Sequence, residues 1–176
     1  EYQNCRQHLA TVYLHLGDID KAIELSNQTL EHIYHSISGA FVSTYVRSGH
    51  RLLAAHIIDV KLKHDGAPVM EWVRAIEHPN ADNSAGLARL KDWTRKTRTG
   101  VSLGEISHAY LSFRAFDELQ ADPENARWVL WHPDAETFRG TSQFKAVVRY
   151  HGFLALWQER GYPQQCRPTG DDDFEC

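Results

Sequence analysis

The chain has 176 residues, of which 42% are hydrophobic and 24% are charged, a composition typical of a globular protein rather than a disordered one. No apolar run approaches the roughly 18 residues of a membrane span, so the sequence predicts no membrane span within this fragment. The net charge of −4 argues against direct nucleic-acid binding, which depends on a basic excess. Because the chain begins at Glu1 and its only methionine is Met70, we expect a fragment or a processed product.

Helical periodicity dominates the sequence, and we predict an all-α protein of antiparallel helix pairs. The first predicted helix ends near Leu16, and others follow over 19–30, 37–47, 52–62, 68–76 and 84–98. A capping box at 102–105 predicts one long helix through residue 119. A short helix then begins at Pro123, with Trp128 and Trp131 predicted in the core. A loop over 132–140, helices over 144–151 and 153–159, and an irregular acidic tail complete the chain.

An internal repeat is the most informative pattern in the sequence. The triplet of Tyr, Gly and Ala recurs 32 residues later, as Tyr13, Gly17 and Ala22 followed by Tyr45, Gly49 and Ala54. A small Ala allows close helix packing, Gly allows a turn with positive φ, and Tyr fills the space between pairs. The segments 10–22 and 42–54 resemble the tetratricopeptide repeat family, and no third copy keeps this register. The resemblance implies a short right-handed solenoid with a C-terminal helical cap, with repeats over 1–78 and degenerate helical pairs plus the capping tail over 79–176.

The C-terminal residues carry a second resemblance. The pattern combines a Trp, a Gly-aromatic-Pro step and a Cys-Arg-Pro step, at Trp157, Gly161–Pro163 and Cys166–Pro168. It is similar to the tail of bacterial proteins that join a winged-helix DNA-binding domain, or an adenylate cyclase domain, to C-terminal tetratricopeptide repeats, as in acid-sensing regulators. The resemblance implies an upstream output domain. It leaves the compartment open between the cytoplasm and, with an upstream membrane span, the periplasm.

Several side chains are candidates for chemistry. Cys166 and Cys176 close a short loop, for which a disulfide and two free thiols are equally compatible with the sequence. His32 and His35 have ligand-compatible spacing but no third partner, so we predict no metal site and no cofactor. No nucleophile motif is present, so we predict a non-enzymatic protein. An unrecognised helical enzyme is kept as a further hypothesis, beside the two binding hypotheses given below. The carboxylates at 171–173 are predicted to be solvated.

The repeat resemblance also implies a concave groove lined by the inner helix of each repeat. Transferred residue by residue, it places five side chains on that groove: Gln7, Thr11, His15, Ser43 and Arg47. Hydroxyls, an amide and a guanidinium suit a peptide backbone or a carboxylate. We therefore predict a sensory or interaction domain that binds a protein or peptide partner. The alternative is a small-molecule or pH-sensing domain with a pocket between the two halves.

Overall fold

Helices separated by short polar turns build most of the protein, which confirms the all-α prediction. The structure, a computed structural model, describes residues 9–10, 12–13, 16, 18–30, 39–62, 66–97 and 103–176. The helices in these ranges are α1 (Ile19–Leu30), α2 (Gly39–Arg47), α3 (Arg51–Leu62), α4 (Val69–Glu77), α5 (Ser84–Lys96), α6 (Leu103–Ser112), α7 (Phe116–Ala121), α8 (Pro123–Ala126), α9 (Glu136–Arg139), α10 (Ser142–Tyr150) and α11 (Phe153–Arg160). No helix in the described part is both long and apolar enough to cross a membrane.

The internal repeat is visible in the backbone of its two turns. The amide of Asp18 donates to the carbonyl of Tyr13 at 3.0 Å, and the amide of His50 donates to the carbonyl of Tyr45 at 2.8 Å. These are equivalent bonds 32 residues apart, each closing the helix that precedes the turn. Gly49 has a φ of 84°, a left-handed conformation that glycine adopts without steric cost.

The small residues of the repeat lie where close packing requires them. Ala22 and Ala54 are both fully buried, on the helices that follow the two turns. Tyr45 is also fully buried, and it is among the largest side chains in the core. Three of the residues that define the repeat in the sequence, Ala22, Tyr45 and Ala54, are thus packing residues in the structure.

A third turn of the same kind separates α6 from α7. The amide of Ala115 donates to the carbonyl of Tyr110 at 2.9 Å, and the amide of Arg114 donates to the carbonyl of Leu111 at 3.0 Å. Arg114 has a φ of 54° and occupies the position that Gly49 holds in the earlier turn. The prediction of one helix through residue 119 is therefore wrong: the chain reverses at an arginine where sequence patterns lead one to expect glycine.

The described core consists of two hydrophobic clusters. The first runs from Ala10 to Ala115 and the second from Leu111 to Phe174, and Tyr110 of α6 packs against both. Helix α6 therefore contributes to both clusters. The prediction that Trp128 and Trp131 lie in the core is wrong, because their side chains are 61% and 37% exposed.

A small hairpin replaces the predicted irregular tail. Strand β1 (Arg167–Pro168) pairs antiparallel with β2 (Phe174–Glu175), and a disulfide joins Cys166 to Cys176 beside them. Phe174 is fully buried and packs edge-on against Trp157, with the ring centroids 5.3 Å apart. The burial of this one aromatic ring fixes the hairpin to α11.

The acidic run before β2 is only partly solvated. The carboxylate of Asp173 accepts hydrogen bonds from Lys145 and Arg149 of α10, each at 2.8 Å. Its pKa is lowered to about 2, chiefly by the Lys145 bond and by the backbone amide of Phe174. The prediction of solvated carboxylates is thus wrong for this residue, which anchors the hairpin to α10.

Candidate functional site

The structure describes two of the five predicted groove residues. Gln7, Thr11 and His15 lie outside the described residues. Ser43 and Arg47 both lie on α2, but Ser43 is only 5% exposed, whereas the Arg47 side chain is 61% exposed. The two side chains therefore differ in how accessible they are to a partner, and Arg47 leads to the site described next.

An ion pair joins α2 to a distant part of the chain. Nη2 of Arg47 lies 2.6 Å from Oδ1 of Asp134, within a 3₁₀ turn formed by Pro133–Ala135. The Asp134 side chain is only 12% exposed. A pair with one partner so far out of water is stronger than an ordinary surface pair, because solvent screens it less. It links α2, which packs in the first hydrophobic cluster, to the turn that carries Ala135 of the second cluster.

Two cavities meet at this ion pair. The first, the Ser43 cavity, has a volume of about 310 Å³ and is lined by Ile19, Ser43, Thr44, Arg47, Ser48, His132, Pro133 and Asp134. The second, the Arg114 cavity, has a volume of about 220 Å³. Its polar and charged lining consists of Arg47, Ser112, Arg114, Asp134, Glu136 and Thr137. We call the two together the inter-cluster cleft, in which Arg47 and Asp134 form part of the shared wall.

Two buried imidazoles lie side by side at the cleft, and one of them, His132, lines the Ser43 cavity. His108 of α6 is 8% exposed and His132 is 4% exposed, and their rings meet edge to face with centroids 5.1 Å apart. Nδ1 of His108 lies 2.7 Å from the carbonyl of Gly104, which can only accept, so this nitrogen carries a proton. Nδ1 of His132 accepts the backbone N–H of Asp134 at 3.0 Å and therefore carries none. The imidazole thus caps the turn that presents the Asp134 carboxylate.

Arg139 holds the same turn from the other side. Its guanidinium donates to the carbonyls of Leu130 and His132 at 3.3 and 3.2 Å, so a second side chain fixes the chain that leads into the turn. Burial lowers the pKa of Arg139. An imidazole cap and a partly buried guanidinium, rather than a regular helix, thus hold the segment that carries the Asp134 carboxylate.

A separate hollow lies on the surface beside the hairpin. It has a volume of about 540 Å³ and is lined by Trp131, Phe153, Leu156, Trp157, Pro163 and Gln165. Its lining has no charged side chain, so it lacks the directed charges that give a pocket specificity. The inter-cluster cleft is therefore the better candidate site.

The sequence predicts the part of this site that lies on α2, but not the part that lies on the Pro133–Ala135 turn. Arg47 was identified, but Asp134 and His132 fall in a segment predicted as loop, and Arg114 in one predicted as helix. The His-Pro-Asp order at 132–134 is compatible with a capped turn, yet the contact with α2 depends on folding and leaves no local pattern.

The described residues contain no group of three or more His, Cys, Asp or Glu side chains placed to hold a metal ion. Comparison with protein-family models, curated proteins and solved structures finds no match to this chain.

Proposed function

We propose that the chain is a non-enzymatic sensory domain that binds a small molecule in the inter-cluster cleft. The observation that carries this proposal is the Arg47–Asp134 ion pair, which forms a wall of both cavities and connects the two hydrophobic clusters. A ligand that competes for Arg47, or packs beside it, changes the contact between α2 and the Pro133–Ala135 turn. Ligand binding is thereby coupled to the relative position of two packed regions, as a sensor requires.

The two turns with equivalent hydrogen bonds, and the third at Arg114, support a fold of tetratricopeptide-like helix pairs stacked as a short solenoid. In that proposal the C-terminal hairpin and α11 form the cap. In a bacterial regulator the cleft would report its occupancy to an upstream DNA-binding or cyclase domain. The rival prediction, capture of a protein or peptide through the groove, gains less support, because Ser43 is buried and Arg47 is already paired.

A pH-sensing role is a second candidate, favoured by the His132 cap. A protonated Nδ1 cannot accept the Asp134 amide, but it could donate to Oδ2 of Asp134, now 3.8 Å away. The Asp134 carboxylate would then be shared between His132 and Arg47. Among the groups with described contacts, the His108 ring of α6 meets the His132 ring, Arg139 of α9 binds the His132 carbonyl, and Arg47 of α2 lines the Ser43 cavity together with His132. Acidification would therefore weaken the connection between α2 and the turn.

Thermal unfolding with a panel of carboxylates, amino acids, sugars and phosphates tests the main proposal. At a concentration 100 times its Kd, a ligand stabilises by about 2.7 kcal/mol, which corresponds to a rise in Tm of about 5 to 11 °C. We expect at least one compound to produce such a rise with the unmodified chain and with Arg51→Ala, but not with Arg47→Ala. Arg51 is a matched control, because it is an exposed arginine paired with Glu77 outside the cleft. No shift with any compound, or equal shifts in both variants, would contradict the proposal.

A further inference from the structure

We infer that the Arg114 cavity is a binding site for a small zwitterion, specifically a free amino acid, with its carboxylate on Arg114 and its ammonium on Glu136. This inference rests on the proposed function and assigns a ligand class to that cleft. It begins from the charge of the lining. Arg47 and Asp134 neutralise each other, so Arg114 and Glu136 supply the remaining positive and negative charge of the cavity.

The backbone at Arg114 is the independent observation. With a φ of 54°, Arg114 is in a left-handed conformation that is uncommon for a residue with a Cβ. The equivalent position in the earlier turn is Gly49, which adopts this conformation without cost. An arginine in place of glycine makes the turn less stable, and such a cost is typical of residues retained for function.

The Arg114 side chain is oriented by a neutral partner. Its Nη1 donates to Oδ1 of Asn80 at 2.8 Å. An amide oxygen fixes the direction of the guanidinium without cancelling its charge, and the planar guanidinium has further N–H donors that suit a carboxylate. Arg114 is therefore arranged to bind an anionic group.

The remaining walls fit a compact ligand with one apolar part. Ala75, Ile76 and Leu111 border the cavity on one side, with Phe116 nearby. The volume of about 220 Å³ is below the roughly 300 to 1,000 Å³ of pockets for drug-sized ligands, and so suits a compact ligand. An apolar patch beside two opposite charges is complementary to an amino acid with a small apolar side chain.

Calorimetric titration of the full chain with L-alanine, L-valine and L-leucine tests this inference. N-acetyl derivatives, which lack the ammonium, and amide derivatives, which lack the carboxylate, serve as matched probes, and alanylalanine distinguishes a short peptide from a free amino acid. We expect at least one free amino acid to bind, and its two derivatives to bind about tenfold more weakly or worse. Equal binding by the N-acetyl form would overturn the inference and indicate a simple anion site, and tighter binding by the dipeptide would overturn the choice of a free amino acid.

Variants separate the ligand contact from folding. Arg114→Gly is expected to lose at least about tenfold in affinity while its Tm stays equal or rises, because glycine relieves the left-handed turn. Arg114→Lys retains both the charge and the backbone cost, and should bind more tightly than the glycine variant. Glu136→Gln should weaken binding of the free amino acid but not of its N-acetyl form. Unchanged affinity in Arg114→Gly would overturn the inference.

The two proposals can fail separately. If a compound without an ammonium stabilises the chain through Arg47 and no amino acid binds, the zwitterion inference is wrong and the sensory cleft stands. If no compound acts through Arg47 and no amino acid binds, both are wrong.

Discussion

Removing the disulfide of the C-terminal hairpin should destabilise the protein by an amount set by loop length. Cys166 and Cys176 are separated by 10 positions, and closing a loop of that length in the unfolded chain is worth about 2.7 kcal/mol. In the native state Phe174 is fully buried, and we expect its packing against Trp157 to persist without the bond. We therefore expect the double variant Cys166→Ala/Cys176→Ala to keep its fold and to lose about 2 to 4 kcal/mol of unfolding free energy.

Equilibrium urea unfolding, followed by tryptophan fluorescence, measures this loss. Trp157 is a suitable reporter, because its ring packs against Phe174. The m value should rise, since an unfolded chain without the crosslink exposes more surface. Cys5→Ala, which leaves the disulfide intact, is the matched control. It should unfold with the same m value as the unmodified, crosslinked chain.

Two results would refute this reasoning. A loss below about 1 kcal/mol, with the bond verified by mass in the unmodified chain, would show that loop closure is not what stabilises the hairpin. The second is a change in the near-ultraviolet circular dichroism spectrum of the native double variant. Such a change would show that the bond holds Phe174 in place, rather than acting on the unfolded chain.

Two further predictions concern pH. His132→Asn keeps a side-chain oxygen that can accept the hydrogen bond of the Asp134 amide, but this side chain cannot titrate. We expect the unmodified chain to lose stability between pH 8 and pH 5, and the variant to lose less. Urea unfolding at each pH measures the free energy of unfolding of both. Equal losses would count against His132 as a sensor. The folded-state pKa of Asp173 is about 2, below its usual 3.8, so its stabilising effect is present above pH 3.8 and is lost as the pH falls through about 2. Asp173→Asn should thus be less stable than the unmodified chain at pH 5, by a difference that shrinks as the pH falls toward 2, whereas Asp172→Asn, an exposed neighbour, should show no such trend.

Local patterns were sufficient to predict most of the first five described helices. Apolar residues at helical spacing, ended by polar turns such as those at Asp18 and Gly49, identify these elements because each signal lies within a few residues of its effect. The structure begins α4 at Val69 rather than at Pro68, a difference usual at helix ends.

The elements that were missed depend on contacts between distant residues. The turn at Arg114 lacks the glycine that normally identifies such a turn, so the sequence predicts one helix where the structure has α6 and α7. The hairpin has strands of two residues, too short for alternation, and is specified by the burial of Phe174 and by the bond at Cys166. The cleft likewise requires Arg47 to meet Asp134, a pairing that becomes visible only when the chain is folded.

Helix α6 also determines how this protein can be divided. Trp72 of α4 donates its indole N–H to Ser112 at the end of α6 at 3.0 Å, and Phe113 packs in the first cluster just beyond it. A fragment ending at residue 78, the predicted boundary of the repeats, would lose both contacts and expose Trp72 of α4. A fragment that preserves the first cluster must therefore extend at least to Ala115, past the arginine turn. One that ends there would carry both guanidinium groups of the cleft, those of Arg47 and Arg114, without the carboxylates of Asp134 and Glu136.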